Sequence, residues 1–101
     1  MITKHIDLPI DEIIALCEKY PIRRLSLFGS VLRDDFGPES DVDILVEFEP
    51  NSGMSLFDMG AIQMDLMDLI GRDVDLKTPG FISKYFVDKV LAEAVPLYER
   101  K

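Results

Sequence analysis

This chain predicts a small α/β domain, a mixed β-sheet of three to four strands packed with helices. Three observations lead there. Val42, Ile44, Val46 and Phe48 alternate with Asp41, Asp43, Glu47 and Glu49, the period of a strand with one buried face. Met59, Ile62, Leu66, Leu69 and Ile70 instead recur at helical spacing. Segments of the two kinds then alternate along the chain, as they do where helices cover a sheet.

The elements follow in order. A first helix is expected over about Leu8–Tyr20, with Ile10, Ile13, Ile14 and Cys17 on one face. Asp7 is a plausible N-cap, Pro9 is tolerated in the first turn, and Pro21 ends the helix. Ile22–Phe28 reads as a strand with Leu25 and Leu27 on one face, broken by Gly29-Ser30. A short helix from Val31 to Asp35 and a turn over Phe36–Ser40 lead into the strand Asp41–Glu49, whose one discordant residue is Leu45. The long helix spans about Ser55–Ile70, opened by a capping box of Ser55 with Asp58 and closed by Gly71. Asp73–Lys77 forms a short strand. Phe81–Ala94 forms a last helix with Ile82, Phe86 and Val90 on one face, and Val95–Tyr98 is a candidate terminal strand. The irregular link between the first two strands does not fix their relative direction.

Size and charge narrow the function. The 101 residues suit one domain, 1–101, and 48% hydrophobic residues are enough for a modest core. The apolar runs are too short to span a membrane, and Met1–Asp7 lacks the pattern of a secretory leader. A single cysteine, Cys17, fits a reducing cytoplasmic setting and on its helical face suggests packing. The net charge of −8 disfavours direct binding to a nucleic-acid backbone. It is compatible with gathering divalent cations, with docking on a basic protein, or with solubility alone.

Three features carry chemistry. Gly29-Ser30 closes a strand before an expected helix start. Glycine there lets the backbone approach a ligand closely, and free N–H groups with a serine hydroxyl attract phosphate oxygens. Ser40-Asp41-Val42-Asp43 places two carboxylates on one face of a strand, about 7 Å apart at Cα. Such a pair repels unless a cation lies between, and Mg²⁺ favours a few carboxylate oxygens plus substrate phosphates. Asp75, in Asp73-Val74-Asp75-Leu76, adds an acid on a neighbouring strand, and Asp73 shares its face and competes for the role. Taken singly, these features also read as a turn, a solvated strand face and a charged strand end.

Together, Gly29-Ser30, Arg33, Ser40-Asp41-Val42-Asp43 followed by Ile44-Leu45-Val46, and a later strand bearing Asp75 resemble the minimal nucleotidyltransferase family of the DNA polymerase β-like nucleotidyltransferase superfamily. The resemblance runs from about Leu25 to Leu76 and implies a nucleotidyltransferase fold. It implies Mg²⁺ as cofactor and ATP as substrate, with AMP moved to an acceptor hydroxyl. Asp41, Asp43 and Asp75 would then bind metal, and Asp75 would help deprotonate the acceptor. Gly29, Ser30 and Ser40 would bind nucleotide. Arg33 would either contact phosphate or brace the turn through Asp35 or Glu39. Asp34 departs from the glycine common at that position, which bears on loop shape rather than on the carboxylates.

The resemblance also implies a partner. Family members of this size act beside a HEPN-type RNase toxin as its antitoxin, adding AMP to a tyrosine. The chain carries no separate acceptor domain, so a protein partner would supply acceptor specificity. Two rivals stand beside this reading: an antitoxin that neutralises by binding alone, and a transferase for a small molecule such as an aminoglycoside. A homo-oligomer could build the pocket that the latter requires. His5, Tyr85, Tyr98, Lys84 and Lys89 read as surface or packing residues. Methionines of the long helix that lie off its buried stripe are candidates for a partner interface.

Overall fold

The computed structural model describes residues 8–29, 41–81 and 84–100. The expected cap Asp7, Ser30, the short helix Val31–Asp35, the turn Phe36–Ser40 and Ile82 lie outside them. Helix α1 spans Ile10–Lys19, with Pro9 at the N-cap position and no side-chain cap. Asp11 and Glu12 in its first turn complement the helix dipole. Its buried residues are Ile13, Leu16 and Cys17. The expected face is therefore rotated slightly, with Ile10 and Ile14 only half-buried. Burial pushes the Cys17 thiol up to about 12, which makes it a packing residue rather than a nucleophile.

Four strands follow: β1 (Ile22–Phe28), β2 (Val42–Phe48), β3 (Val74–Lys77) and β4 (Val95–Glu99). They form one mixed sheet in the order β3-β2-β1-β4. β1 runs antiparallel to both β2 and β4, and β2 pairs in parallel with β3. A parallel pair needs a crossover, and α2 (Leu56–Ile70) supplies it. Val42, Ile44 and Val46 pack with Leu25, Leu27, Ile62 and Leu66 in one core. Each fully buried aliphatic side chain there contributes about 1.5–3 kcal/mol. Leu45 is also fully buried, on the opposite face of β2. That explains the one discordant residue in the strand's alternation: the sheet centre is covered on both sides.

The capping box at α2 matches its expectation. The Ser55 N–H donates to Asp58 Oδ2 at 2.9 Å, and the Asp58 N–H donates to Ser55 Oγ at 3.3 Å. The Ser55 N–H and hydroxyl, both donating to Asp58 Oδ2, hold that carboxyl below the usual carboxylate range. Gly71 closes the helix in the left-handed region at φ 75°. Replacing Ser55 with Ala should lower stability by about 1 kcal/mol. In a domain of this size that is roughly a 4–8 °C fall in melting temperature, readable by circular dichroism.

The C-terminal third corrects the sequence reading. The expected helix Phe81–Ala94 is a 3-10 turn at Pro79–Phe81 and, after a turn at 84–86, a short helix α3 (Val87–Glu93). α3 buries no residue, and Phe86 is 60% exposed. A helix this short gains little from propensity, and with no residue of α3 fully buried little packing is available to extend it. The terminal strand is present and one residue longer than expected. Arg100 ties it to the α1–β1 corner, donating from Nη2 to the Tyr20 carbonyl at 3.1 Å and from Nε to the Tyr98 hydroxyl at 3.2 Å. No helix among the described residues is long and apolar enough to cross a membrane.

Candidate active site

The acids of interest gather at one end of the sheet. β1 ends at Phe28, which is the register partner of Asp43 near the start of β2. Asp43 in turn is the register partner of Asp75 on β3. Partners in adjacent strands have side chains on the same face, so the two carboxylates rise from backbones about 4.8 Å apart. Asp41 precedes β2 by one residue and is exposed. The Val42 N–H donates to the Asp73 carbonyl at 2.8 Å, which draws Asp73 to the same end. Asp73 is exposed at the strand's edge, and only Asp75 stands within the register beside Asp43.

Gly29 completes this end. Its φ is 76°, the left-handed region that L side chains rarely adopt. A Cβ placed on it would lie 3.0 Å from Asp43 Cγ and 3.2 Å from Asp43 Cβ, with Asp43 Oδ2 closer still. The Asp43 carboxylate is laid across the bare Cα of Gly29. Glycine is required here twice, for backbone conformation and for room. The room at Gly29 is thus taken by the Asp43 side chain. Ser30, Arg33 and Ser40 fall outside the described residues.

Lys77 was not singled out in the sequence. Its Nζ lies 3.1 Å from Asp75 Oδ2. The signal was available, since residues two apart on a strand share a face. β3 is an edge strand held by α2: Gln63 Oε1 accepts from the Leu76 N–H at 3.4 Å, between the two charged residues.

The donor set suits a divalent cation that arrives with its substrate. Among the described residues no three acidic, histidine or cysteine side chains form a metal cage. Mg²⁺ does not require one, because it binds through one or two carboxylates plus phosphate oxygens and water. Asp43 beside Asp75, its carboxylate seated against Gly29, meets that need. A groove of about 380 Å³ lies elsewhere, between α1 and α2, lined among others by Glu12, Lys19, Asp65 and Asp68. None of the described candidate residues borders it.

Residues 13–97 match the model of the nucleotidyltransferase domain family, and the chain belongs to that family. It is a nucleotidyltransferase. A Methanocaldococcus jannaschii protein named "Putative protein adenylyltransferase MJ0435" is 38% identical over 84 residues, covering 83% of this chain and 88% of that one. A solved structure described as a putative minimal nucleotidyltransferase superposes with a TM-score of 0.76 at 31% identity, over 93% of this chain and 99% of that one. A chain in the solved complex of a tri-AMPylated Shewanella oneidensis HEPN toxin with MNT antitoxin shares the fold, with a TM-score of 0.64 at 22% identity over 90% of this chain and 70% of that one.

Proposed function

We propose that this chain transfers AMP from ATP to a hydroxyl of a protein partner, with Mg²⁺ as cofactor. The favoured acceptor is a tyrosine of a HEPN-type toxin, which makes the chain its antitoxin. The observation that carries the reading is the register of Asp43 beside Asp75 at the strand end bearing Gly29. The relative named for protein adenylylation and the solved AMPylated toxin complex support the choice of a protein acceptor.

In this reading Asp41 and Asp43 hold Mg²⁺, and Asp75 completes the set. When bound, the ion neutralises triphosphate charge and orients the α-phosphate for in-line attack. Gly29 and Ser30 offer main-chain N–H and hydroxyl donors to phosphate oxygens, with Ser40 beside the acids. Arg33 either adds a charge to the phosphates or braces the turn. Asp75 accepts the proton of the acceptor hydroxyl as that oxygen bonds to the α-phosphorus. The bond from the α-phosphorus to its bridging oxygen breaks, and pyrophosphate leaves. The acceptor keeps AMP.

The test is mass spectrometry of a HEPN-type toxin after incubation with ATP, Mg²⁺ and the protein. The partner should gain one or more AMP units, and the gain should vanish with chelator. A stable complex that silences the partner without any mass gain would instead support neutralisation by masking. A mass gain on an aminoglycoside and none on the partner would support small-molecule transfer.

A further inference from the structure

Lys77 stands two residues beyond Asp75 on β3, with its ammonium on the Asp75 carboxylate. Its register partner is Leu45, so it lies one step along the same sheet face from the Asp43–Asp75 pair. The pair is accessible rather than entombed, with side-chain exposures of 43% for Lys77 and 42% for Asp75. Two carboxylates on adjacent strands repel each other when no cation is present. Lys77 supplies a compensating charge on the outer one, and no three-acid cage is gathered among the described residues.

We infer that Lys77 is a positioning residue that holds Asp75 in the metal-free protein and yields it to an incoming divalent cation. This rests on the nucleotidyltransferase reading of the acids given above. The ammonium and a divalent cation seek the same carboxylate oxygens, and close together they repel. Uptake of the cation therefore requires the Lys77 bond to break, and the third carboxylate joins the site only when the cation arrives. Lys77 thus weakens binding of bare metal while keeping Asp75 oriented on its strand.

Calorimetric titration of Mn²⁺ into the intact chain, without nucleotide, tests this independently of activity. Lys77→Gln should tighten Mn²⁺ about three- to tenfold, the size expected for removing one charge near a solvated divalent ion. Lys77→Arg keeps an ion pair and should stay within about twofold of wild type on the same electrostatic grounds. Lys89→Gln, on α3, removes a remote charge and should do the same. In an Asp75→Asn background, Lys77→Gln should have no further effect, because the oxygen it guards is no longer charged. Thermal midpoints of all variants confirm that each is folded.

The inference is overturned if Lys77→Gln binds Mn²⁺ no tighter than wild type, or if Lys89→Gln tightens it equally. If wild type binds Mn²⁺ and Asp43→Asn abolishes binding while Lys77→Gln tracks wild type, the role of Lys77 alone fails. If wild type takes up no Mn²⁺ with or without ATP, the reading of the acids fails with it.

Discussion

Asp43→Asn is expected to reduce AMP transfer about a thousandfold or more while leaving the fold intact. Losing one group that stabilises transition-state charge costs about 10²–10³ in rate, and the same group is proposed to hold the cation. Asparagine keeps the size of the side chain, so its fit over Gly29 is unchanged. It removes one of two negative charges that stand side by side across β2 and β3. Stability should accordingly stay within about 0.5 kcal/mol of wild type, or rise. Initial rates with radiolabelled ATP, set beside urea midpoints, separate the two effects. A rate loss matched by a large stability loss would mean that Asp43 serves the fold rather than the chemistry.

Gly29→Ala is expected to be the most damaging small substitution in the described chain. A left-handed backbone costs an L residue about 1–2 kcal/mol. The new methyl also collides with the Asp43 carboxylate, and overpacking adds about 1–3 kcal/mol. A combined loss of about 2–5 kcal/mol is a large share of the 5–15 kcal/mol typical of a domain. Transfer should be lost as well, because the collision is relieved only by moving Asp43. The double variant Gly29→Ala with Asp43→Ala should recover the collision part in stability and leave the backbone part. Urea denaturation of the four proteins in that cycle measures the coupling, and purely additive losses would contradict the packing of Asp43 on Gly29.

Much of this architecture could be read from residue order. The alternation of Val42, Ile44 and Val46 marked β2 because one face is wholly apolar, and the Ser55–Asp58 box and Gly71 fixed both ends of α2 chemically. Strand direction was not legible, since it depends on how the link between β1 and β2 runs rather than on either strand's pattern. The last helix was overextended because apolar spacing records what a helix can bury, not what is there to bury it against. In the site, Asp43 and Asp75 were identifiable as acids of the right kind. Their adjacency follows from a parallel pairing set by the whole α2 crossover. Gly29 was legible as a glycine needing room, but the side chain needing that room belongs to another strand. Lys77 was not legible as part of the site, because a lone lysine at a strand end reads as a solvated charge until its contact with Asp75 is seen.

Asp41, Asp43 and Asp75 are proposed to hold a cation together against a triphosphate. The most direct measurement is a crystal structure of the chain with Mn²⁺ and a non-hydrolysable ATP analogue, with the metal located by its anomalous scattering. The expected result is a manganese peak bonded to Asp41 and Asp43, with Asp75 turned from Lys77 toward it and phosphate oxygens beside the Gly29 main chain. Nucleotide seated in the groove between α1 and α2, or manganese bound away from Asp43, would contradict it.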